Sequence, residues 1–284
     1  MNFFDDLFSV LPQIAARHSP RDPLYRVLQR SVTVEVASSF RDVAEEGHPF
    51  GPFGALSLPY FEMGAINSLH LFGMDELILF AFYHANRKRY RRVVDFGANI
   101  GLHSIVLSRC GYEVRSFEPD QLHADRFRYN CGLNKVSPDL HQAAVSLEDG
   151  TAQFVRVLGN TTGSHIKGAK SAPYGELDTI EVPLEAAGPH LAWADLAKID
   201  IEGHEADLLT GLPLETWQST DAVLEVGTPE NAAIVFKHLH GKGGIRMFSQ
   251  MTGWQEVHAL ENMPCSHRDG SLFLTTKAGM NWSE

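Results

Sequence analysis

The sequence predicts an α/β protein with a doubly wound, mostly parallel sheet, and three observations lead there. From residue 74 onward, short apolar runs alternate with stretches of helical length and pattern, as in strands joined by crossover helices. One run, Val93-Val-Asp95, ends in an acid and leads into a glycine-bearing loop, Gly97-Ala-Asn-Ile-Gly101. Residues 244–250 and 271–275 both read as strands with no helical pattern between them, which predicts an antiparallel addition at the C-terminal edge of the sheet.

The elements follow in order. Residues 3–16 place Phe3, Phe4, Leu7, Phe8, Leu11 and Ile14 on one stripe and read as an amphipathic helix, kinked or broken at Pro12. Pro20 and Pro23 punctuate the chain before a short helix over 24–28, and residues 32–36 read as a strand. A Gly/Pro-rich stretch, His48-Pro-Phe-Gly-Pro-Phe-Gly54, and the aromatics Tyr60, Phe61 and Phe72 complete an N-terminal cap over residues 1–73, on the substrate side of a main domain over 74–284. That domain opens with a largely buried helix over 75–86. Strand 93–95, helix 103–110, strand 113–118, helix 122–133 and strand 140–146 come next. A strand at 197–201 precedes a helix through Leu208 and Leu209 that stops at Gly211, then strand 222–226 and helix 232–240.

Composition narrows the function classes. The 284 residues suit one large domain, or one with a small appendage. They are 44% hydrophobic and 21% charged, as in ordinary globular proteins. A formal net charge of -11 argues against nucleic acid or an anionic membrane as the main partner. The local basic run Arg87-Lys-Arg-Tyr-Arg-Arg92 suits the C-terminal end of a helix, where the macrodipole favours cations. Three cysteines, Cys110, Cys131 and Cys265, are odd in number and widely spaced, so neither a disulfide framework nor a zinc ribbon is visible. The first residues lack a basic segment followed by an apolar one, and no apolar run reaches membrane-spanning length. The expectation is a cytoplasmic protein acting on a small molecule, with homo-oligomer formation left open.

In an open parallel sheet, ligands sit beyond the carboxyl ends of the strands. Here the loop after Asp95 has only Gly97 and Gly101. A dinucleotide wants a third glycine so that backbone N–H groups can approach its pyrophosphate, and Asp95 would repel that group. A phosphate-binding loop is excluded, because no Gly-Lys-Ser/Thr follows. Glu118 ends the next strand about twenty residues on, where an acid accepts hydrogen bonds from ribose hydroxyls. S-adenosylmethionine (SAM) carries an amino group, a sulfonium and a ribose but no phosphate, and an acid at each of two strand ends matches that pattern. The competing explanations are a glycine pair that merely shapes a turn, an NAD-dependent oxidoreductase, and a non-catalytic SAM-binding protein.

Three segments carry a resemblance. Val93-Val-Asp-Phe-Gly-Ala-Asn-Ile-Gly101, Ser116-Phe-Glu-Pro-Asp120 and Lys198-Ile-Asp-Ile-Glu-Gly-His-Glu205 resemble the FkbM-type family of SAM-dependent methyltransferases, well over residues 75–209 and loosely beyond. The resemblance implies a Rossmann-like, seven-stranded class I methyltransferase sheet with its last strand antiparallel. It implies methylation of a hydroxyl on a sugar, polyketide or other secondary metabolite. Position by position, it implies that Asp95, Gly97, Asn99 and Gly101 surround the methionine part of SAM and that Glu118 binds the ribose. It sets the adenine near Pro119, Asp120 and the strand end at Ala143-Ala144.

The acceptor side is read from the residues. Methyl transfer is an in-line displacement, so the protein mainly aligns the acceptor behind the methyl group. A hydroxyl also needs something to take its proton. The strand ending at Asp200 delivers Asp200, Glu202, His204 and Glu205 where a helix starts. Asp200 or His204 is the candidate base, histidine having the better intrinsic pKa. Asp200 with Glu202 or Glu225 is an alternative seat for a divalent metal, but no metal site is predicted, and His204-Glu205 lacks the second histidine of a zincin. The plain alternative is structural: Glu202 and Glu205 at a helix N-terminus, with Lys198 paired to one of them. The polar stretch Asn160-Thr-Thr-Gly-Ser-His-Ile-Lys167 reads equally as a lid, part of an acceptor pocket, or a solvated hairpin turn.

Overall fold

The computed structural model describes residues 2–41, 47–169 and 175–283, so Met1 and residues 42–46 of the expected cap lie outside the described residues. Helix α1 (Phe3–Val10) starts at a capping box between Asn2 and Asp5, and Pro12 falls where the chain tightens into a 3-10 turn over Leu11–Arg17. The strand expected at 32–36 is instead part of helix α2 (Pro23–Phe40). Asp22 caps it by accepting from Leu24 N, Pro23 sits at its first position, and Tyr25, Val32, Val36 and Phe40 are its buried face. Strands β1 (His48–Pro49) and β2 (Ala55–Leu56) pair across a turn, and helix α3 (Met74–Ala85) follows.

From here strands and helices alternate: β3 (Arg92–Phe96), α4 (Leu102–Arg109), β4 (Glu113–Phe117), α5 (Gln121–Asn134) and β5 (Asp139–His141). A smaller sheet interrupts, made of β6 (Ala144–Ser146), β7 (Gly150–Val157), β8 (His165–Ile166) and β9 (Leu177–Ala186). The alternation resumes with α6 (Ala187–Trp193), β10 (Leu196–Ile199), α7 (Glu205–Gly211), α8 (Leu214–Ser219), β11 (Asp221–Glu225) and α9 (Pro229–Leu239). It closes with β12 (Arg246–Ser249), β13 (Gln255–Glu256) and β14 (Ser271–Thr275).

The main sheet has the order β13-β12-β14-β11-β10-β3-β4-β5. Strands β11, β10, β3, β4 and β5 pair in parallel, while β14 runs antiparallel to both β11 and β12. The seven expected strands are present, and the two-residue β13 adds an eighth at the edge. The terminal pair is not simply appended, because β14 sits inside the sheet between β11 and β12. The single strand expected at 140–146 is divided: β5 ends at His141 in the main sheet and β6 begins at Ala144 in the smaller one.

Period-two alternation sends successive side chains to opposite faces. Val93, Leu196, Val223 and Phe273 pack under α3 and α4, in a core that continues into the cap through Phe4, Phe40, Phe50 and Phe72. Val94, Ala197, Leu224 and Leu274 pack on the other face with Leu191, Leu209, Trp217 and Val235 from α6 to α9. Asp95 and Lys198 alternate with these apolar residues, so both point to the α3/α4 face, and they are direct register partners on β3 and β10. Among the described residues no helix is long and apolar enough to cross a membrane.

Candidate active site

A buried polar chain supports the loop after β3. Asp95 is fully buried; its Oδ2 accepts from Ser104 Oγ at 2.6 Å, and Ser104 Oγ meets Ser116 Oγ at 2.7 Å. Lys198 Nζ lies 3.4 Å from Asp95 Oδ1 and 3.6 Å from Asp200 Oδ2, and donates to the Gly97 carbonyl at 2.9 Å. Burial alone would lower the Lys198 ammonium, but Asp95, Asp200 and Glu76 raise it well above its ordinary value, so it stays charged. Lys198 therefore pairs with Asp95 and Asp200. Glu205 accepts from Ile201 N at 2.9 Å and Gly203 N at 2.9 Å, closing the turn that starts α7.

Above this chain lies an open cleft of about 900 Å³ at the carboxyl ends of β3, β4 and β10. Gly97, Asn99, Glu118, Pro119, Asp120, Asp200 and Glu202 line it. Gly97 must be glycine: at φ +80 a Cβ would stand 1.8 Å from the Asp200 carbonyl oxygen, so only a bare backbone lets the two strand-end loops touch. Asn99 and Glu202, which both line the cleft, hold left-handed backbone at φ 52 and 55. Strained backbone of this kind concentrates at functional sites.

Glu118 is buried at the end of β4. Its Oε2 accepts from Asn99 N at 2.9 Å and its Oε1 from Asp120 N at 2.8 Å. Burial pushes its carboxyl up to about 8 against these two donors. Asp120 caps α5 through Leu122 N and binds Arg156 Nε at 2.7 Å. Burial first, then Asp200 and Glu202, push the Glu225 carboxyl up; it does not line the cleft.

Four expected site residues sit elsewhere. Asp95 is under the loop and reaches the cleft only through Lys198. Gly101 begins α4 at φ 92, where a Cβ would press Phe127 at 2.8 Å, so it shapes the loop without lining the cleft. Ala143 is buried, and its neighbour Ala144 lines the wall instead. His204 faces a different cavity, with its Nδ1 3.3 Å from Asp207, because Glu202 and the left-handed Gly203 turn the chain away.

The cleft also holds residues not singled out for a role. Leu71, His123, Val145, Phe154 and Ile201 are among them, while the stretch 160–167, read above as a lid, part of an acceptor pocket or a hairpin turn, supplies Thr161, Thr162, Ser164 and Ile166. His123 Nε2 lies 2.9 Å from Thr161 Oγ1 in its wall, and burial lowers the His123 imidazole. Beside the loop, Glu76 Oε2 lies 2.7 Å from His103 Nε2, whose Nδ1 lies 3.1 Å from the Tyr83 hydroxyl.

A parallel sheet whose last strand runs antiparallel between two parallel ones, with acids at successive strand ends, is the Rossmann-like arrangement of class I methyltransferases. The chain belongs to the FkbM methyltransferase family: the family model described as "Methyltransferase FkbM domain" matches residues 95–254. It is 28% identical over 155 residues to Methyltransferase 1 of Beauveria bassiana (strain ARSEF 2860), a match covering 46% of this chain and 62% of that protein, so under two thirds of the relative's length is spanned. Among solved structures it is similar to cofactor-bound Rv0187 from MTB, with TM-score 0.40 and 11% identity over 100% of both chains. It is also similar to the O-methyltransferase from Bacillus cereus in complex with SAH, with TM-score 0.39 and 11% identity over 69% of this chain and 78% of that one. The fold assignment rests on the strand order.

Proposed function

We propose that the protein transfers a methyl group from SAM to a hydroxyl oxygen of a small substrate. The observation that carries this is the charge of the cleft: Glu118, Asp120, Asp200 and Glu202 line it, and among the described residues no lysine or arginine does. A pyrophosphate would meet these acids, whereas an amino group and ribose hydroxyls find oxygen acceptors. The residues therefore fit SAM and disfavour NAD. Glu118 and the Gly97–Asn99 backbone would hold the nucleoside and methionine parts. Pro119, Ala144, Phe154 and Ile166 give the adenine an apolar slot. When bound, SAM supplies a methyl group already activated by the sulfonium.

The chain's own task is alignment and proton removal. Asp200 is the base in this reading, since its side chain is 38% exposed in the cleft and Lys198 fixes its position. Glu202 sits beside it and orients the acceptor. Residues 1–73 form the substrate-side cap, of which Leu71 reaches the cleft. The test is calorimetry with S-adenosylhomocysteine (SAH), together with methyl transfer from labelled SAM to a panel of hydroxylated small molecules. Binding is expected, and Asp200→Asn should keep it while losing most turnover. No SAH binding at high micromolar concentration would overturn the cofactor assignment. Unchanged turnover in Asp200→Asn would remove that residue from the mechanism.

A further inference from the structure

A second cluster of ligating side chains lies behind Glu118, outside the cleft. His141 on β5, Glu185 on β9 and His190 on α6 each bring one donor atom to within 4.8 Å of the others. Glu185 Oε2 is 2.8 Å from His141 Nδ1 and 3.3 Å from His190 Nε2. A tetrahedral zinc ion with bonds of about 2.0–2.1 Å holds its ligand atoms roughly 3.3 Å apart, so both carboxylate–imidazole distances lie within about half an ångström of that spacing.

We propose that His141, Glu185 and His190 bind a divalent transition metal of the zinc type and so tie the main sheet to the smaller one. Two imidazoles and one carboxylate favour such an ion over magnesium or calcium, which take oxygen ligands. The rings are set by packing: His141 stacks on Phe117 at 4.5 Å between centroids and meets His190 at 5.1 Å. Asp139 Oδ2 lies 3.3 Å from the other nitrogen of His141, the outer carboxylate that commonly accepts the proton of a metal-binding imidazole. Arg115 Nη1 stands 3.4 Å from His190 Nδ1. With metal on Nε2, that nitrogen carries the proton, and the guanidinium turns toward Asp139, already 3.9 Å from its Nε. All three ligands are partly exposed, which leaves a fourth position for water.

The site would brace the cleft wall. The His141 carbonyl accepts from Glu118 N at 3.1 Å, and Glu185 is the register partner of Val145, which lines the cleft.

The experiment titrates the chelator-stripped full chain with Co²⁺ and, separately, with Zn²⁺. Visible d–d bands of tetrahedral cobalt that zinc displaces, and a raised thermal midpoint with zinc, are expected. His190→Ala and Glu185→Gln should each weaken metal binding by more than about tenfold, the scale seen when even an outer-shell partner is lost. The metal-free midpoint of Glu185→Gln, which keeps the side-chain shape, should stay near that of the parent chain and show that the variant folds. Absence of both bands and shift overturns the proposal. So do bands and a shift that survive in both variants, since the ion would then sit among others of the 14 histidines.

Discussion

Replacing Gly97 by alanine tests the idea that the two strand-end loops must touch. The new Cβ would lie 1.8 Å from the Asp200 carbonyl oxygen and 2.9 Å from its carbon, so the loops would have to part by roughly 1 Å or more. Left-handed backbone costs an alanine about 1–2 kcal/mol, offset by about 0.4–1 kcal/mol from the stiffer unfolded chain. Forcing the loops apart adds about 1–3 kcal/mol, and the bond from Asp200 N to the Phe96 carbonyl, now 3.0 Å, would stretch. Gly111 is the control, since it holds φ +90 with nothing within 4 Å of a Cβ. In urea unfolding, Gly97→Ala should lose about 2–4 kcal/mol and Gly111→Ala about 1 kcal/mol or less. Only Gly97→Ala should also weaken SAH binding, by about tenfold or more, because a shift near 1 Å undoes positioning. Equal losses in the two variants would refute the steric argument.

Three further outcomes are expected. Lys198→Met strands the buried Asp95 carboxylate and should cost about 3–5 kcal/mol in urea unfolding at neutral pH; a loss below about 1 kcal/mol would mean the pair is not needed. SAH affinity should rise several-fold from about pH 6.5 to 8.5, because the raised Glu118 carboxyl accepts more strongly from ribose hydroxyls once it loses its proton, and Glu118→Gln should flatten that profile in calorimetry. His204→Ala should leave methyl transfer within about twofold of the parent rate, since the side chain faces another cavity. A large loss, on the scale of about a hundredfold, would return the histidine to the site.

The main sheet was legible because its strands are short apolar runs punctuated by glycine and acids, as at Val93–Gly101. The cap was harder. Val, Thr and Val in Val32–Val36 favour strand, yet the buried positions Tyr25, Val32, Val36 and Phe40 fall on one helical stripe behind an Asp-Pro start. The smaller sheet was also missed, although Ile180, Val182 and Leu184 alternate on one face of β9. At the site, strand-end residues were readable as such, but the direction of a side chain was not. Two left-handed residues sent His204 away, and one buried lysine claimed Asp95. His123 facing Thr161, or Glu76 facing His103, depends on how distant segments pack, which no local pattern encodes.

The place of β14 inside the sheet also bears on synthesis. β12 and β13 reach the remaining strands only through β14. A nascent chain that has emerged as far as α9 can pair β3, β4, β5, β10 and β11, but it presents β11 as an open edge until residues 271–275 leave the ribosome. That edge, Asp221–Glu225, has an acid at each end and an apolar centre, with Ala222, Val223 and Leu224 buried in the finished sheet. During translation it is the surface most exposed to wrong strand pairing, and the one a chaperone has most reason to hold.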